Sequence, residues 1–409
     1  MKILFHTITY LPELEAVTRR ISGLATNLVE MGHEVDICCG FPEKVNNKKR
    51  RFWMFQFAKK EVINGVRVYR YFTVPFNRKG SLRRIINNFS FAVSGLLHVF
   101  RFRKYDVVIT SSPPLFISNS GRWIAKLKRS KLVFDIRDIW PDIAVEMKYM
   151  KEGSSSYKIF SKLSNKMYKK AHLITTVSKM KVESLKSKFS FMDSKVKLIS
   201  NGVDDFFINK EDSLEFLEEY QFNNYFSVIH VGNIGKAQNL DSFLNLAKAK
   251  LDNEQMKFFL LGEGVELSRI LKRIEEENLT NVVYCGKRNM DEVYTAFKHS
   301  SLSYVSLINE ELKDSVPTKL YESIYCGCPV ILSASGESVE VVNESKYGKT
   351  SNPNDFETLL NNLDYIYNNY NEFLNNKEYA FNYIDCNYNR KEITKKLILE
   401  LEQIVERKK

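Results

Sequence analysis

The sequence predicts an α/β protein of two domains, each with a parallel sheet covered by helices. Short apolar segments of strand length alternate with helical patterns along both halves of the chain. The chain has 409 residues, more than one hydrophobic core usually supports, and 44% of them are hydrophobic. We place the first domain at residues 1–205, the second at 206–385, and a C-terminal helix at 386–409 that can pack back on the first domain.

The first half of the chain begins with a buried strand and continues as alternating helices and strands. The predicted strands lie at 2–8, 34–39, 66–72, 106–110, 131–136, 172–177 and 195–199. The predicted helices lie at 17–31, 82–104 and 115–128, and another begins at Ser178. A polar and acidic segment, Val203 to Ser213, is predicted to link the two domains.

The predicted helix at 82–104 combines an apolar middle with basic ends. Its apolar part, residues 89–100, is too short to span a bilayer, which takes about 20 residues. Two interpretations stay open. The helix is buried or half-buried, or its basic ends and part of its apolar face contact a membrane. The flanking basic residues are Arg83, Arg84, Arg101, Arg103 and Lys104.

The chain carries 61 basic and 49 acidic residues, a net charge of +12, which favours an acidic partner. Nucleic acid, an anionic membrane surface and phosphorylated substrates all fit this charge. The most basic segment, residues 44–60, places Lys48 to Arg51 directly before Phe52 to Phe55. Such a segment either contacts an anionic membrane or nucleic acid, or forms a solvated loop with a small hydrophobic anchor.

Cysteine and histidine spacing argues against disulfides and metal sites. The six cysteines have no paired C-x-x-C spacing, and most lie in or beside apolar strands, as expected of reduced core residues in a cytosolic protein. The six histidines and the carboxylates form no motif such as H-E-x-x-H, so no dedicated metal site is predicted. Met1 leads directly into a strand instead of a signal core, so export is not expected.

The second half repeats the alternation, which predicts a second parallel sheet with helices on both faces. Its predicted strands lie at 227–231, 257–261, 281–285, 302–307 and 329–332. Its predicted helices lie near 240–251, 265–277, 290–299, 339–343, 356–370 and 390–408. Three strands end in glycine turns, Gly232–Gly235, Gly262–Gly264 and Gly286–Arg288, which give one sheet edge a flexible backbone and basic side chains.

The stretch from Asp314 to Ile331 is the strongest candidate site. Pro317 suits the first turn of a helix and Gly327 its end, with an apolar strand following. Unpaired backbone N–H groups and the positive end of the helix dipole can bind an anion such as a diphosphate, and Lys319 adds a full charge. Glu322 can accept hydrogen bonds from ribose hydroxyls and Asp314 from sugar hydroxyls. The alternative is that Asp314 caps the helix and Glu322 is a solvated carboxylate.

Several short motifs follow one another in a characteristic order. They are Met31–Val35, Asp135–Pro141, Thr176–Ser178, Asn201–Asp204, Val231–Asn239, Leu261–Gly264 and Val316–Glu322. In order and spacing they resemble the retaining nucleotide-sugar glycosyltransferases of family 4, and within them the subgroup that builds bacterial capsule, O-antigen and related polysaccharides. The resemblance covers almost the whole chain. It implies the GT-B fold, in which two Rossmann-like domains face each other across a cleft.

The resemblance implies a role for each matching position. Glu322 matches the second glutamate of the family's Glu-x7-Glu motif, which contacts the nucleotide ribose, and Asp314 replaces the first, which contacts the donor sugar. Lys236 matches the basic residue that neutralises the diphosphate. Asp138 is the implied catalytic or acceptor-orienting residue of the first domain. The other implied donor-binding residues are Thr318, Lys319, Gly232, Asn233, Glu263, Lys287 and Arg288.

The first domain departs from the family pattern at two places. Arg137 stands where relatives often have a histidine, so Asp138 is the better catalytic candidate. Relatives often carry a Gly-Gly pair in the first loop, where this chain has Leu14 to Val17. Glu15 and Ala16 make close backbone approach to a phosphate harder, so the second domain is expected to hold the phosphate.

The implied activity is retaining transfer from a nucleotide sugar to a lipid-linked saccharide in bacterial surface polysaccharide synthesis. The expected donor is a UDP-linked N-acetylated hexosamine or deoxyhexosamine, with no cofactor and no metal. The expected partners are the donor, the acceptor and an anionic membrane, but no nucleic acid, and the expected location is cytoplasmic, on the inner face of the plasma membrane. Two alternatives stay open: a sugar-nucleotide epimerase of the same fold, and a basic nucleic-acid-binding module, although no recognised motif supports the latter.

Overall fold

The computed structural model describes residues 1–13, 15–42, 57–74, 81–204, 207 and 210–407, without the side chains of 81–84. The basic segment predicted at 44–60 lies outside the described residues except for 57–60. The chain forms two compact units, Met1–Ser200 with Ile393–Lys409, and Asn201–Glu392. The units therefore divide at residues 200 and 393, where the sequence analysis placed boundaries after 205 and 385.

The first unit is built on one eight-stranded sheet. Its strands are β1 (Lys2–His6), β2 (Glu34–Gly40), β3 (Ala58–Ile63), β4 (Val66–Tyr71), β5 (Val107–Ser112), β6 (Lys131–Ile136), β7 (Leu173–Thr176) and β8 (Val196–Leu198). Their order across the sheet is β3-β4-β2-β1-β5-β6-β7-β8, and all pairs are parallel except β3 and β4. Because the central strands are buried on both faces, they are apolar almost throughout.

Helices cover both faces of this sheet. They are α1 (Ala16–Glu30), α2 (Ser81–Leu97), α3 (Leu115–Lys128), α4 (Asp142–Glu146), α5 (Ser155–Lys170), α6 (Lys179–Lys188) and, at the C-terminus, α16 (Arg390–Glu406). One core joins the sheet to α2, α3, α5 and α6, and the other joins it to α1 and α16. The apolar side of α16 contributes Ile393, Leu397, Leu401 and Ile404 to the second of these cores.

The second unit contains a six-stranded sheet in which every pair is parallel. Its strands are β9 (Phe226–Asn233), β10 (Met256–Glu263), β11 (Val282–Gly286), β12 (Leu302–Ser306), β13 (Val330–Ser333) and β14 (Gly348–Ser351), in the order β11-β10-β9-β12-β13-β14. Its helices are α7 (Leu214–Tyr220), α8 (Leu240–Ala249), α9 (Leu267–Glu276), α10 (Met290–His299), α11 (Thr318–Tyr325), α12 (Glu337–Ser345), α13 (Phe356–Asn368), α14 (Tyr370–Asn375) and α15 (Lys377–Tyr388). The carboxyl ends of β9 to β13 meet at one edge, where ligands bind in such sheets.

The segment predicted as a linker is described only in part, but its start is firmly held. Val203 pairs with Asn389 in an isolated parallel bridge. Arg390, at the start of α16, is buried and its guanidinium donates hydrogen bonds to the Asp204 carboxylate and the Gly202 carbonyl. These contacts fix the beginning of the second unit to the end of its last helix.

The structure confirms the α/β class with two parallel-sheet domains and most of the predicted elements. The antiparallel edge strand β3, the short edge strand β14 and the helices α4, α5, α7, α14 and α15 were not predicted. For three of them the sequence explains why: β3 and β14 are largely polar, and α5 buries only Ser164, Met167 and Tyr168. Five of the six cysteines are buried and all six are free, as expected of reduced core residues.

Candidate functional site

Three neighbouring strands of the second unit have a glycine with positive φ as their last or second-last residue. Gly232 of β9 has a φ of 117°, Gly262 of β10 has 143°, and Gly286 of β11 has 77°. Gly232 and Gly262 lie opposite each other in the sheet, and a Cβ on Gly262 would be 1.7 Å from the Gly232 carbonyl oxygen. Only glycine fits there. The carboxyl edge of the sheet is therefore lined with backbone that a ligand can approach closely.

The loop after β9 is locked to the loop after β10. The backbone N–H of Ile234 donates to the Glu263 carbonyl at 2.9 Å, and the Ile234 carbonyl accepts from the Glu266 N–H at 3.1 Å. A Cβ on Gly264 would be 2.0 Å from the Ile234 carbonyl oxygen, which keeps the two loops in contact. Lys236 follows, exposed, at the start of a short 3-10 helix. The predicted residues Gly232, Asn233 and Lys236 thus stand on a fixed backbone at the sheet edge.

The two basic side chains of the loop after β11, Lys287 and Arg288, extend in different directions. Lys287 extends toward Glu263 of the neighbouring loop, with the two charged groups 3.6 Å apart. Arg288 is directed into its own unit, where it donates to the Tyr220 hydroxyl at 2.5 Å and pairs with Glu292 at 3.2 Å. Its guanidinium also stacks on Tyr220. Lys287 is therefore the exposed charge of this loop, and Arg288 holds the loop against α7 and α10.

Helix α11 begins at Thr318 without a side-chain cap. Pro317 occupies the N-cap position, and its side chain makes no capping hydrogen bond. The alternative in which Asp314 caps this helix is therefore wrong. Glu322, in the second turn, is only 2% exposed, so the alternative of a solvated carboxylate is wrong as well. The uncapped start leaves backbone N–H groups and positive dipole available to an anion.

Lys319 is the most unusual charged group of this site. Its side chain is 9% exposed, and its amine has no hydrogen-bond partner among the residues that the structure describes. Burial lowers the pKa of Lys319 to about 7, although the charge of Glu322 acts to raise it. A buried amine without a partner is costly, and such groups concentrate at functional sites. An anionic ligand at the start of α11 would supply the missing partner.

His230 was missed by the sequence analysis and belongs to the same region. It lies in the middle of β9, is fully buried, and neither ring nitrogen has a hydrogen-bond partner within the described chain. Burial, followed by the charge of Lys319, lowers the pKa of His230 well below its ordinary value, so the ring is neutral. The available signal was a histidine inside the apolar run Ser227 to Val231.

The loop that carries Asp314 is held by the start of helix α12. The Glu337 N–H donates to the Lys313 carbonyl at 3.0 Å, and the Ser338 hydroxyl donates to the Ser315 carbonyl at 2.8 Å. Asp314 itself is partly exposed and accepts a hydrogen bond from the Ser315 hydroxyl at 3.4 Å. Glu337 is buried and was not predicted as part of this region. Asp314 therefore stands on a positioned loop.

Asp138 belongs to the first unit, where it follows β6 and is partly exposed. The preceding Arg137 is fixed by hydrogen bonds from its guanidinium to the Ser111 hydroxyl and the Pro113 carbonyl, 3.0 Å and 2.5 Å away. Burial lowers the pKa of Arg137, and the Asp138 carboxylate acts to raise it. The loop after β6 is therefore held in place, and it positions the Asp138 carboxylate at the carboxyl edge of the first sheet.

A buried ion pair lies behind this loop. Arg20 of α1 pairs with Asp135 of β6 at 2.9 Å and also donates to the Ser200 carbonyl at 2.8 Å. Burial alone would raise the pKa of Asp135, but the charge and hydrogen bonds of Arg20 and a hydrogen bond from Thr175 lower it below its ordinary value. Asp135 therefore stays ionised, and its ion pair with Arg20 holds α1 against β6.

The structure groups the predicted residues into two sets. Asp138 stands alone in the first unit, and the others lie at the carboxyl edge of the second sheet or at the start of α11. Within the residues described, no three His, Cys, Asp or Glu side chains are grouped so that they could hold a metal ion. The expectation that the reaction needs no metal or cofactor stays a prediction. The second set is Gly232, Asn233, Lys236, Glu263, Lys287, Arg288, Asp314, Thr318, Lys319 and Glu322.

Two protein-family models match the chain, one in each half. The model for Glycosyltransferase Family 4 matches residues 17–205, and the model for glycosyl transferases group 1 matches residues 212–383. A similar protein is WcaI of Escherichia coli (strain K12), assigned to colanic acid biosynthesis as a glycosyl transferase. It is 22% identical over 356 residues, which are 82% of this chain and 83% of WcaI.

Several solved structures have the same fold over nearly the whole chain. Sucrose-phosphate synthase from Thermosynechococcus elongatus matches with a TM-score of 0.77 at 14% identity, covering 98% of both chains. HepE from Anabaena, solved with UDP-glucose, gives 0.71 at 14% identity over 98% of this chain and 100% of its own. WaaG, a glycosyltransferase involved in lipopolysaccharide biosynthesis, gives 0.70 at 13% identity over 97% and 98%.

Proposed function

Because this chain is a glycosyltransferase with the GT-B fold, we propose that it transfers a sugar from a nucleotide sugar to a lipid-linked saccharide. The proposed setting is the assembly of a bacterial surface polysaccharide, at the inner face of the plasma membrane. The setting is supported by the likeness to WcaI, assigned to colanic acid biosynthesis, and to WaaG, involved in lipopolysaccharide biosynthesis.

One observation carries the proposed donor site: a buried, unpartnered lysine at the uncapped start of α11. A nucleotide sugar carries its charge on the diphosphate, which needs N–H donors and positive charge. The α11 backbone at Thr318 and the amine of Lys319 provide both, and the exposed Lys236 adds a further positive charge from the β9 loop. The adjacent glycine-lined edge lets the diphosphate approach the backbone.

The remaining residues of the edge are assigned to the other parts of the donor. Glu322, buried one turn into α11, accepts hydrogen bonds from the ribose hydroxyls. The loop from Gly286 to Arg288 holds the nucleobase largely through its backbone, with Lys287 and Glu263 beside it. Asp314, on its fixed loop, contacts the hydroxyls of the sugar. The donor is proposed to be a UDP-linked N-acetylated hexosamine or deoxyhexosamine, and HepE, solved with UDP-glucose, supports the uridine part.

In the proposed reaction, the bond between the anomeric carbon and the diphosphate oxygen breaks, and a bond from that carbon to an acceptor hydroxyl oxygen forms with retention. The acceptor proton passes to the departing phosphate oxygen, so the products are a nucleoside diphosphate and a lengthened saccharide. Catalysis comes mainly from stabilising the negative charge on the leaving group with Lys236, Lys319 and the start of α11. Asp138 is assigned to orienting the acceptor.

The test is incubation of the full chain with UDP-, GDP- and dTDP-sugars, first alone and then with bacterial membrane lipid extract, while nucleotide release and sugar transfer are followed. We expect release that depends on the extract, persists in EDTA and is lost in Glu322→Ala. Glu218→Ala removes an exposed carboxylate of the same unit and is the matched control. Interconversion of the sugar without an acceptor would identify an epimerase, and no release with any donor would refute the proposed transfer.

A further inference from the structure

Three neighbouring helices of the first unit, α2, α3 and α5, share one outer surface. A row of aromatic rings connects them: Phe89 of α2 lies 6.3 Å from Phe116 of α3, which lies 5.8 Å from Phe160 of α5, measured between ring centroids. Their inner sides, including Phe91 and Met167, fill the same core against the sheet. The outer sides of the three helices are therefore parts of one surface, the α2–α3–α5 face.

The α2 part of this face is apolar and exposed. Phe89 is 56% exposed, Leu97 72% and Phe100, just beyond the helix, 84%. Ile85, Phe89, Val93 and Leu97 repeat every four residues, so they form a stripe along one side of α2. A stripe of this kind marks an interaction site. Other exposed apolar residues of the three helices are Ile86, Trp123, Leu127 and Ile159.

The same face carries basic charge without acidic charge, because none of the three helices contains Asp or Glu, while α3 contains arginine and lysine and α5 contains lysine. Each of the other α-helices that the structure describes in this unit, α1, α4, α6 and α16, contains at least one acidic residue. A groove of about 670 Å³ runs along α5 between its lysine side chains. On α3, Arg122 and Lys126 lie over the Trp123 ring, 4.6 Å and 5.0 Å from its centroid. The lysines of α5 are Lys158, Lys162, Lys166, Lys169 and Lys170.

We propose that the α2–α3–α5 face docks on a lipid bilayer that contains anionic lipids. Exposed apolar side chains partition into the interface, and lysines beside them are attracted to acidic headgroups, so the two signals act together. No helix in the described part of the chain is long and apolar enough to cross a bilayer. The inference rests on the proposed function in that a lipid-linked acceptor lies in such a bilayer. Nucleic acid explains the lysines but gives the apolar stripe no role.

The test is co-flotation of the full chain with neutral phosphatidylcholine vesicles and with vesicles containing about one-third phosphatidylglycerol. One variant removes charge: Lys158→Gln, Lys162→Gln, Lys166→Gln and Lys169→Gln. A second removes apolar surface: Phe89→Ser, Leu97→Ser and Phe100→Ser. The matched controls change exposed residues elsewhere, namely Lys248→Gln, Lys272→Gln, Lys391→Gln and Lys396→Gln for the charge variant, and Leu214→Ser, Leu374→Ser and Leu399→Ser for the apolar variant.

We expect binding to the anionic vesicles only, weakened by 0.5 M salt and at least about tenfold by each face variant, with both controls unchanged. Equal loss in variants and controls, or no binding to either vesicle, would overturn the proposal. So would a preference for a random DNA duplex that the serine variant leaves intact. Nucleotide binding is measured on the same samples. Vesicle binding without nucleotide binding would support the docking face and refute the proposed function instead.

Discussion

The buried amine of Lys319 should make the binding of a nucleotide sugar depend on pH. Burial lowers its pKa to about 7, so above that pH the empty site holds mostly the neutral amine. A diphosphate favours the charged ammonium, so binding above pH 7 takes up a proton. The affinity should therefore fall about tenfold for each unit from pH 7 to pH 9, because one pKa unit corresponds to about 1.4 kcal/mol.

The titratable groups around Lys319 do not obscure the expected pH dependence of UDP-sugar binding. Glu322, on the same helix, acts to raise the pKa of Lys319, and His230 of β9 is neutral because its own pKa is well below the ordinary value. The ligand should be a UDP-sugar, because a terminal phosphate such as that of UDP titrates near pH 6, about where phosphate monoesters do. Calorimetric titration in buffers of different ionisation heat then reports both affinity and proton uptake.

Two variants test whether the charge of Lys319 causes the pH dependence of binding. Lys319→Arg keeps a positive charge at every pH, so its affinity should be constant between pH 7 and pH 9. Lys319→Met should bind weakly at every pH in this range. A wild-type affinity that stays constant from pH 7 to pH 9, without proton uptake, would refute the assignment of Lys319 to the diphosphate.

The same group predicts a stability effect of known sign. Below pH 7 the folded protein must hold a buried ammonium, and the shift from 10.5 to about 7 corresponds to a cost of up to about 5 kcal/mol. The cost is full at pH 7 and below and disappears as the pH rises toward 10.5, where the unfolded chain also loses its proton. Without ligand, Lys319→Met should raise the melting temperature clearly at pH 6.5 and little at pH 10. The control is Lys236→Met, at an exposed lysine.

Three further predictions concern the backbone edge, the ribose contact and the buried ion pair. Glu322→Gln should weaken UDP-sugar binding about 10- to 100-fold in calorimetry, because hydrogen bonds to a charged group contribute about 1.5–3 kcal/mol, with the melting temperature little changed. Gly262→Ala should destabilise the protein by at least about 2 kcal/mol more than Gly153→Ala, since both have positive φ but only Gly262 meets a backbone oxygen; equal melting temperatures would contradict this. Asp135→Asn should cost about 3–5 kcal/mol in urea unfolding, and Arg20→Met combined with it should cost less than the two single changes together.

The parallel parts of the two sheets could be predicted because most of their strands are largely apolar. The edge strand β3 could not, because Ala58 to Ile63 contains three charged residues in a row and lacks the alternation of apolar and polar residues that indicates a strand. Helix α5 buries few side chains, so its lysine-rich sequence gives only a weak periodic signal. The apolar character of α2 was visible in the sequence, but the side on which its stripe is exposed required the packing of Phe91 and α3.

The candidate site was predictable in its position and not in its electrostatics. The helix from Thr318, ended before the strand by Gly327, followed from periodicity and turn residues. A lysine one residue into a helix is ordinarily solvated, so the burial of Lys319 depends on contacts distant in the chain. His230 and Glu337 join the region through the same tertiary packing. The sequence also could not predict the direction of the Arg288 side chain. Its guanidinium lies over Phe216 and Tyr220, which belong to a helix distant in the chain.

The placement of α16 has a consequence for synthesis on the ribosome. The first unit consists of Met1–Ser200 and Ile393–Lys409, whereas the second is one continuous segment, Asn201–Glu392. Domains usually complete their folding in the order in which they are made. Here the half that is made first cannot complete its core until α16 has been synthesised, because Leu397 and Leu401 are part of that core. A nascent chain that stops short of α16 would leave apolar surface uncovered on the first unit, where chaperones and proteases can recognise it.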